Sequence, residues 1–185
     1  GPFFLEEAPR YELGADVSNG AKGAPCWVEG RILGLGGEPI PNATINVWQA
    51  DDDGLYDVQY ESLGHSQARG IMKSDETGRY YFKTIVAEPY PIPVDGPVGT
   101  LLNATQRHPW RPAHLHYRIR AEGFRPLVTH IFDRNSKNLD GDAVFGVRPS
   151  LIADFIRQQP GNAPDGKVMK DDFYTLNYDF VMTRP

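Results

Sequence analysis

The sequence predicts an all-β fold, an antiparallel β-sandwich with one short helix and long loops around its active end, built as a single domain over residues 1–185. Three observations carry this expectation. Short runs rich in β-branched and aromatic residues recur along the chain, Gly/Pro-rich turns separate them, and the clearest runs alternate apolar with polar residues. No internal repeat interrupts the pattern.

In order, residues 10–24 are rich in Gly, Ala, Ser and Asn and form a surface loop. Strands are expected at 26–33 and 43–50, with a Gly/Pro turn over 34–41 between them. In the second strand Ile45, Val47 and Gln49 share one face, and Thr44, Asn46 and Trp48 the other. Asp51 to Gly54 ends it in a turn, whose acidic run lacks the ligand spacing and flanking helices of an EF-hand. Strands follow at 69–73 and 79–86, split by a turn at 74–78. The stretch from Glu88 to Pro97 holds too many prolines for a helix or an inner strand, and it fixes Tyr90 on a stiff loop between Pro89 and Pro91. Residues 114–120 and 127–132 are the next strands, and 135–142 a polar loop. Pro149 to Gln159, apolar at Leu151, Ile152, Phe155 and Ile156 and capped by Ser150, is the one expected helix. A loop at 160–167 leads to a closing strand over 173–182.

Composition excludes several function classes. Nineteen basic against 24 acidic residues, with no basic run, give no footprint for nucleic acid. No apolar stretch approaches the ~18 residues of a membrane span, and no signal-peptide pattern opens the chain, so the expectation is a soluble, cytoplasmic protein. The single cysteine, Cys26, excludes an internal disulfide framework and fits a reducing compartment. Gly1 to Leu5 is apolar from the first residue, which points either to a longer chain or to a segment docked on the body.

The candidate chemistry centres on Arg111-Pro112-Ala113-His114-Leu115-His116. Residues i and i+2 of a strand point to one face, so His114 and His116 can share an ion, or can simply occupy the polar face of a half-solvated strand. Tyr90 on its proline-clamped loop and Tyr56 just after the acidic turn extend the set to two imidazoles and two phenols. Phenols, with an ordinary pKa of about 10, become good ligands only to a strong Lewis acid such as ferric iron. A zinc hydrolase using the two histidines lacks a third ligand and a water-activating carboxylate, and a non-enzymatic sandwich, transthyretin-like or carbohydrate-binding, is the remaining alternative.

These motifs resemble the intradiol ring-cleavage dioxygenases. The matching stretches are Gly37 to Ala43, Val47-Trp48-Gln49-Ala50-Asp51 with Gly54-Leu55-Tyr56, Tyr90-Pro91-Ile92-Pro93, and Trp110 to His116, in the family's order. The resemblance implies one non-haem Fe(III) per chain, held by Tyr56, Tyr90, His114 and His116. It also implies cleavage of a catechol ring between its hydroxyl-bearing carbons with insertion of both atoms of O2. Tyr90 matches the tyrosine that leaves the iron and takes a substrate proton, and Tyr56 the one that stays. Arg111 matches the residue that stabilises negative charge on the substrate. Gly1, Pro2, Asp51 and Val144 match positions of the substrate pocket. His130, within Thr129-His130-Ile131-Phe132, and the stretch Leu139 to Val147 are similar to the hydroxyquinol-cleaving members, which make maleylacetate; catechol cleavage to cis,cis-muconate is the alternative. His130 either binds the extra hydroxyl or orients its neighbours. The family's homodimer is built through an N-terminal helical segment that these 185 residues do not contain.

Overall fold

A computed structural model describes residues 2–185. Among the described residues fourteen strands and one α-helix are formed: β1 Pro25–Gly34, β2 Thr44–Gln49, β3 Arg69–Lys73, β4 Arg79–Ile85, β5 Tyr90–Pro91, α1 Pro97–Ala104, β6 Trp110–Arg111, β7 His114–Arg120, β8 Leu127–Asp133, β9 Ile152–Ala153, β10 Ile156–Gln158, β11 Gly161–Asn162, β12 Val168–Met169, β13 Phe173–Asn177 and β14 Phe180–Met182. One sheet has the order β3-β2-β7-β8-β9. In the other, β1 pairs antiparallel with β4 and parallel with β13 and β14, and β13 carries β10.

The core lies between these sheets, with Val28, Ile32, Phe82, Leu176 and Phe180 of one sheet against Ile45, Val47, Leu115, Tyr117, Ile119 and Ile131 of the other. The alternation expected in β2 is present, with Ile45 and Val47 in this core and Trp48 in a separate aromatic cluster. Three pairings are parallel, so the sandwich is mixed rather than purely antiparallel.

Two expectations are corrected. The segment 149–159 is not an α-helix: a single 3-10 turn at Pro149–Leu151 leads into β9 and β10. Its buried residues are Ala153 and Phe155, spaced by two as in a strand, while Ile156 is exposed. Ile152 pairs with Phe132 of one sheet and Ile156 with Thr175 of the other, so the segment bridges the sandwich, and these pairings override the helical spacing. The helix forms instead at α1, where Pro97 ends the proline-rich run. A proline suits the first turn because its missing N–H has no partner there.

The closing strand, expected as one run over 173–182, is two. Both parts lie beside β1, and between them the Tyr178 carbonyl approaches to 1.9 Å from the point a Cβ on Gly30 would occupy. Any other residue at position 30 would have to push this crossing apart.

The opening apolar residues dock. Arg10 bridges to Ile71, Glu6 pairs with Arg118, and Phe4 packs on Trp48 with ring centroids 5.1 Å apart.

Candidate functional site

The outer face of the β2-β7-β8 sheet carries the aromatic and imidazole side chains. Cross-strand register sets Trp48 opposite His116, His116 opposite His130, and His114 opposite Phe132. Because β7 alternates, Leu115 and Tyr117 enter the core while His114 and His116 emerge together on this face. The His116 ring lies flat on Trp48, with centroids 4.8 Å apart and planes 4° apart.

Two loops bring phenols to the imidazoles. After β2, the Asp51 carboxylate accepts the N–H groups of Asp53 and Leu55 at 3.0 and 3.1 Å and the Tyr60 hydroxyl at 2.7 Å, which closes the turn ahead of Tyr56. The Tyr56 N–H then donates to Gln59 Oε1, and Asp57 forms a buried ion pair with Arg69. Tyr56 is buried and stacked on Phe3, with centroids 4.6 Å apart. Tyr90 is held by more than its flanking prolines: β5 pairs antiparallel with β6, which sets Tyr90 opposite Arg111.

The four side chains meet. Tyr56 Oη lies 3.4 Å from Tyr90 Oη and 3.5 Å from His114 Nε2, and His114 Nε2 lies 3.1 Å from His116 Nε2. Donors bound at about 2.0–2.2 Å to one ion stand roughly 3–3.5 Å apart, so this set fits a metal. Its chemistry fits as well. His114 Nδ1 lies 2.6 Å from the Pro112 carbonyl, so that nitrogen carries the proton and Nε2 presents its lone pair to the cluster. Burial, then the nearby Arg111 charge, pulls the His114 pKa down to about 3. Burial followed by His114 and His130 holds His116 well below the ordinary imidazole range, so both rings are neutral donors at working pH. Burial and the neighbouring Tyr90 push the Tyr56 hydroxyl well up, and a strongly polarising cation is what would reverse that. Among the described residues no group of three or more His, Cys, Asp or Glu is placed to hold a metal ion by itself; the further polar groups beside the His114–His116 pair include phenols and a guanidinium.

Arg111 is buried, with Nη1 3.0 Å from His114 Nε2. Its Nε and Nη2 donate to Asp142 Oδ1 and Oδ2 at 3.0 and 3.4 Å. Burial opposes the guanidinium charge, but the Asp142 hydrogen bond overcomes it and raises the pKa. His130 is half-buried, its ring centroid 5.5 Å from that of His114 and 5.3 Å from that of His116, and burial followed by Arg111 lowers its pKa.

Not every expected residue joins the cluster. Asp51 is occupied in folding its loop, because both its oxygens already accept donors there. Val144 lies half-exposed on the Asp142 loop, its N–H donating to Asp142 at 3.3 Å. The Pro2 carbonyl accepts the Trp48 indole N–H at 3.4 Å, and Gly1 lies outside the described residues. Sequence reasoning missed Asp142, Trp48 and Phe3. A buried arginine requires a carboxylate, which was the signal for Asp142, and the apolar opening was the signal for Phe3.

Fold and side chains together define a class: a β-sandwich with nitrogen and oxygen donors gathered on the outer face of one sheet. Comparison with known proteins names it. The family described as "Dioxygenase" matches residues 1–184, and the chain belongs to that family, among the intradiol ring-cleavage dioxygenases. It is 58% identical over 182 residues to 6-chlorohydroxyquinol 1,2-dioxygenase of Cupriavidus pinatubonensis, covering 98% of this chain and 62% of that protein. It is 50% identical over 185 residues to hydroxyquinol 1,2-dioxygenase of Rhodococcus opacus, covering 98% of this chain and 61% of that protein. The solved structure of hydroxyquinol 1,2-dioxygenase from Pseudomonas putida DLL-E4 superposes with a TM-score of 0.92 at 41% identity, covering all of this chain and 65% of that one. The chain thus spans just over three-fifths of the curated relatives it matches.

Proposed function

We propose that residues 1–185 form one catalytic β-sandwich domain that cleaves hydroxyquinol (1,2,4-trihydroxybenzene) by intradiol insertion of O2, giving maleylacetate. One ferric ion per chain would be held by Tyr56, Tyr90, His114 and His116. The observation that carries this reading is the convergence of their four donor atoms at 3.1–3.5 Å. The hydroxyquinol names of the similar relatives support the choice of substrate.

Bound ferric iron supplies the Lewis acidity that keeps phenols and the substrate diol deprotonated. The residues do the rest. Tyr90 Oη accepts a proton from the entering diol, on a loop whose ladder to Arg111 keeps it beside the reacting ring. Tyr56, stacked on Phe3 and fixed by the Gln59 cap, stays in place. Arg111, always charged and rigid, presents Nη1 where negative charge develops on the substrate. His130 donates to the third hydroxyl; its Nε2 contact with the Gly146 carbonyl, at 3.5 Å, is too long to hold it elsewhere. The Asp51 carboxylate acts on the pocket only through the turn it folds, and Pro2 and Val144 lie at the rim.

Under this reading the partners are an aromatic triol or diol and O2, without nucleic acid or membrane. No helix among the described residues is long and apolar enough to cross a membrane. The lone thiol Cys26, buried and with its pKa pushed up by burial, fits the cytoplasm. The family's homodimer rests on a helical segment outside these 185 residues, and sedimentation of the purified chain tests whether they dimerise without it.

The decisive experiment is iron analysis and oxygen uptake on purified protein. The expected result is a burgundy protein with about one iron per chain that consumes O2 faster with hydroxyquinol than with catechol. A colourless protein, inactive after iron reconstitution, would overturn the reading; a preference for catechol would overturn the role given to His130.

A further inference from the structure

We propose that Asp142 is a positioning residue that aims Arg111 and ties it to the loop carrying Val144 and Gly146, so that one carboxylate sets both turnover and substrate choice. This rests on the intradiol reading above.

Each Asp142 oxygen serves two masters. Oδ1 accepts Arg111 Nε at 3.0 Å and the Val144 N–H at 3.3 Å; Oδ2 accepts Arg111 Nη2 at 3.4 Å and the Gly146 N–H at 2.8 Å. The guanidinium is therefore gripped along one edge, and the nitrogen left over, Nη1, is the one turned to the His114 side of the cluster. A planar fork held on one edge has little freedom to rotate. The carboxylate is itself buried, so it has little water to exchange with and no neutral substitute for four donors.

The loop end of this contact reaches His130. A Cβ on Gly146 would lie 2.8 Å from His130 Nε2 and 3.0 Å from Asp142 Oδ2, so the backbone at Gly146 is wedged between the two. A rotation of Asp142 that moved the guanidinium would also move Gly146 against the imidazole. Turnover, through Arg111, and recognition of the third hydroxyl, through His130, are thus joined at Asp142.

Replacing Asp142 by Asn keeps the shape but turns an amide N–H₂ toward N–H donors on one side, leaving half of the grip unmade. The test is a double-mutant cycle with Arg111→Gln, Asp142→Asn and the pair, in iron-loaded full chain. For each, kcat and KM are measured on hydroxyquinol and catechol, together with iron content, the visible absorption band and thermal melting. We expect D142N to retain iron and colour, to lose roughly tenfold or more in kcat, and to change the hydroxyquinol-to-catechol ratio of kcat/KM by about threefold or more. The double variant should be no slower than R111Q alone, within about twofold. Where D142N does not fold, Asp142→Glu carries the same cycle, because it keeps the charge. Single effects that multiply in the double variant, or a lowered melting temperature with kcat and substrate ratio unchanged, would overturn the proposal. An additive cycle in an active wild type counts against Asp142 alone, whereas a wild type without iron or ring cleavage removes the intradiol reading and this inference with it.

Discussion

The sheet built on β2, β7 and β8 has two faces of opposite chemistry made by alternate residues of the same strands. Ile45, Val47, Leu115, Tyr117, Ile119 and Ile131 enter the core between the sheets, while Trp48, His114, His116, His130 and Phe132 face the cluster. The inner face is apolar apart from the Tyr117 hydroxyl, which has no hydrogen-bond partner among the described residues, and is stabilised by being filled. The outer face is nearly as dry at His114 and His116, yet its polar atoms meet: His114 on Pro112, Arg111 on Asp142, and the imidazoles and phenols on one another. One face supplies stability through burial; the other uses that rigidity to hold charge-bearing groups in fixed places. A register slip of one residue would exchange them, so the same packing that stabilises the sheet also fixes the site.

The largest effects should come from the outer face. Tyr56→Phe or His116→Ala should abolish iron binding, colour and ring cleavage while far-UV circular dichroism stays that of the wild type. Retained stoichiometric iron in both would remove them from the proposed ligand set. Arg111→Gln should keep iron and colour but lose about 10²–10³ in kcat. If it lost metal to the same extent as the Tyr56 variant, the division between holding the ion and serving the substrate would collapse.

On the inner face, Leu115→Ala lies between the two histidines in sequence yet should leave kcat of the folded protein nearly unchanged. Its effect should appear in urea denaturation as a loss of about 2–5 kcal/mol, since a buried cavity is created. Loss of iron without loss of stability would show that the faces are not separable in this way.

A smaller effect is graded by pH and belongs to the iron-free protein. The His114 pKa falls from an ordinary 6.5 to about 3 on folding, and that of His116 is also depressed. Between those values the unfolded chain binds more protons than the folded one. Stability is therefore fully present above pH ~6.5 and declines as pH falls toward ~3, by about 1.4 kcal/mol per unit for His114, with His116 acting in the same direction. Urea midpoints of iron-free protein across this range check the sign, and a flat profile would contradict neutral, buried imidazoles.

The sequence by itself determined most strands, because they depend on short-range rules, and it singled out Tyr56, Tyr90, His114 and His116 as candidates; that the four meet was decided by the fold. Side chains alternate along any strand, so β2 and β7 declared their faces from spacing alone, and β3 and β7 appear with the expected bounds. Prolines on both sides of Tyr90 and the acidic turn before Tyr56 act within a few residues and were equally legible. Tertiary structure decided what no local rule contains. It drew residues 152–158 across the sandwich as two strands, because pairing with Phe132 and Thr175 outweighed a helical spacing of apolar residues. It split the closing strand at Tyr178, whose carbonyl lies where a side chain at Gly30 of β1 would be. It also paired Arg111 with Asp142, 31 residues away. A buried charge requires a partner, but only the folded chain determines which carboxylate arrives.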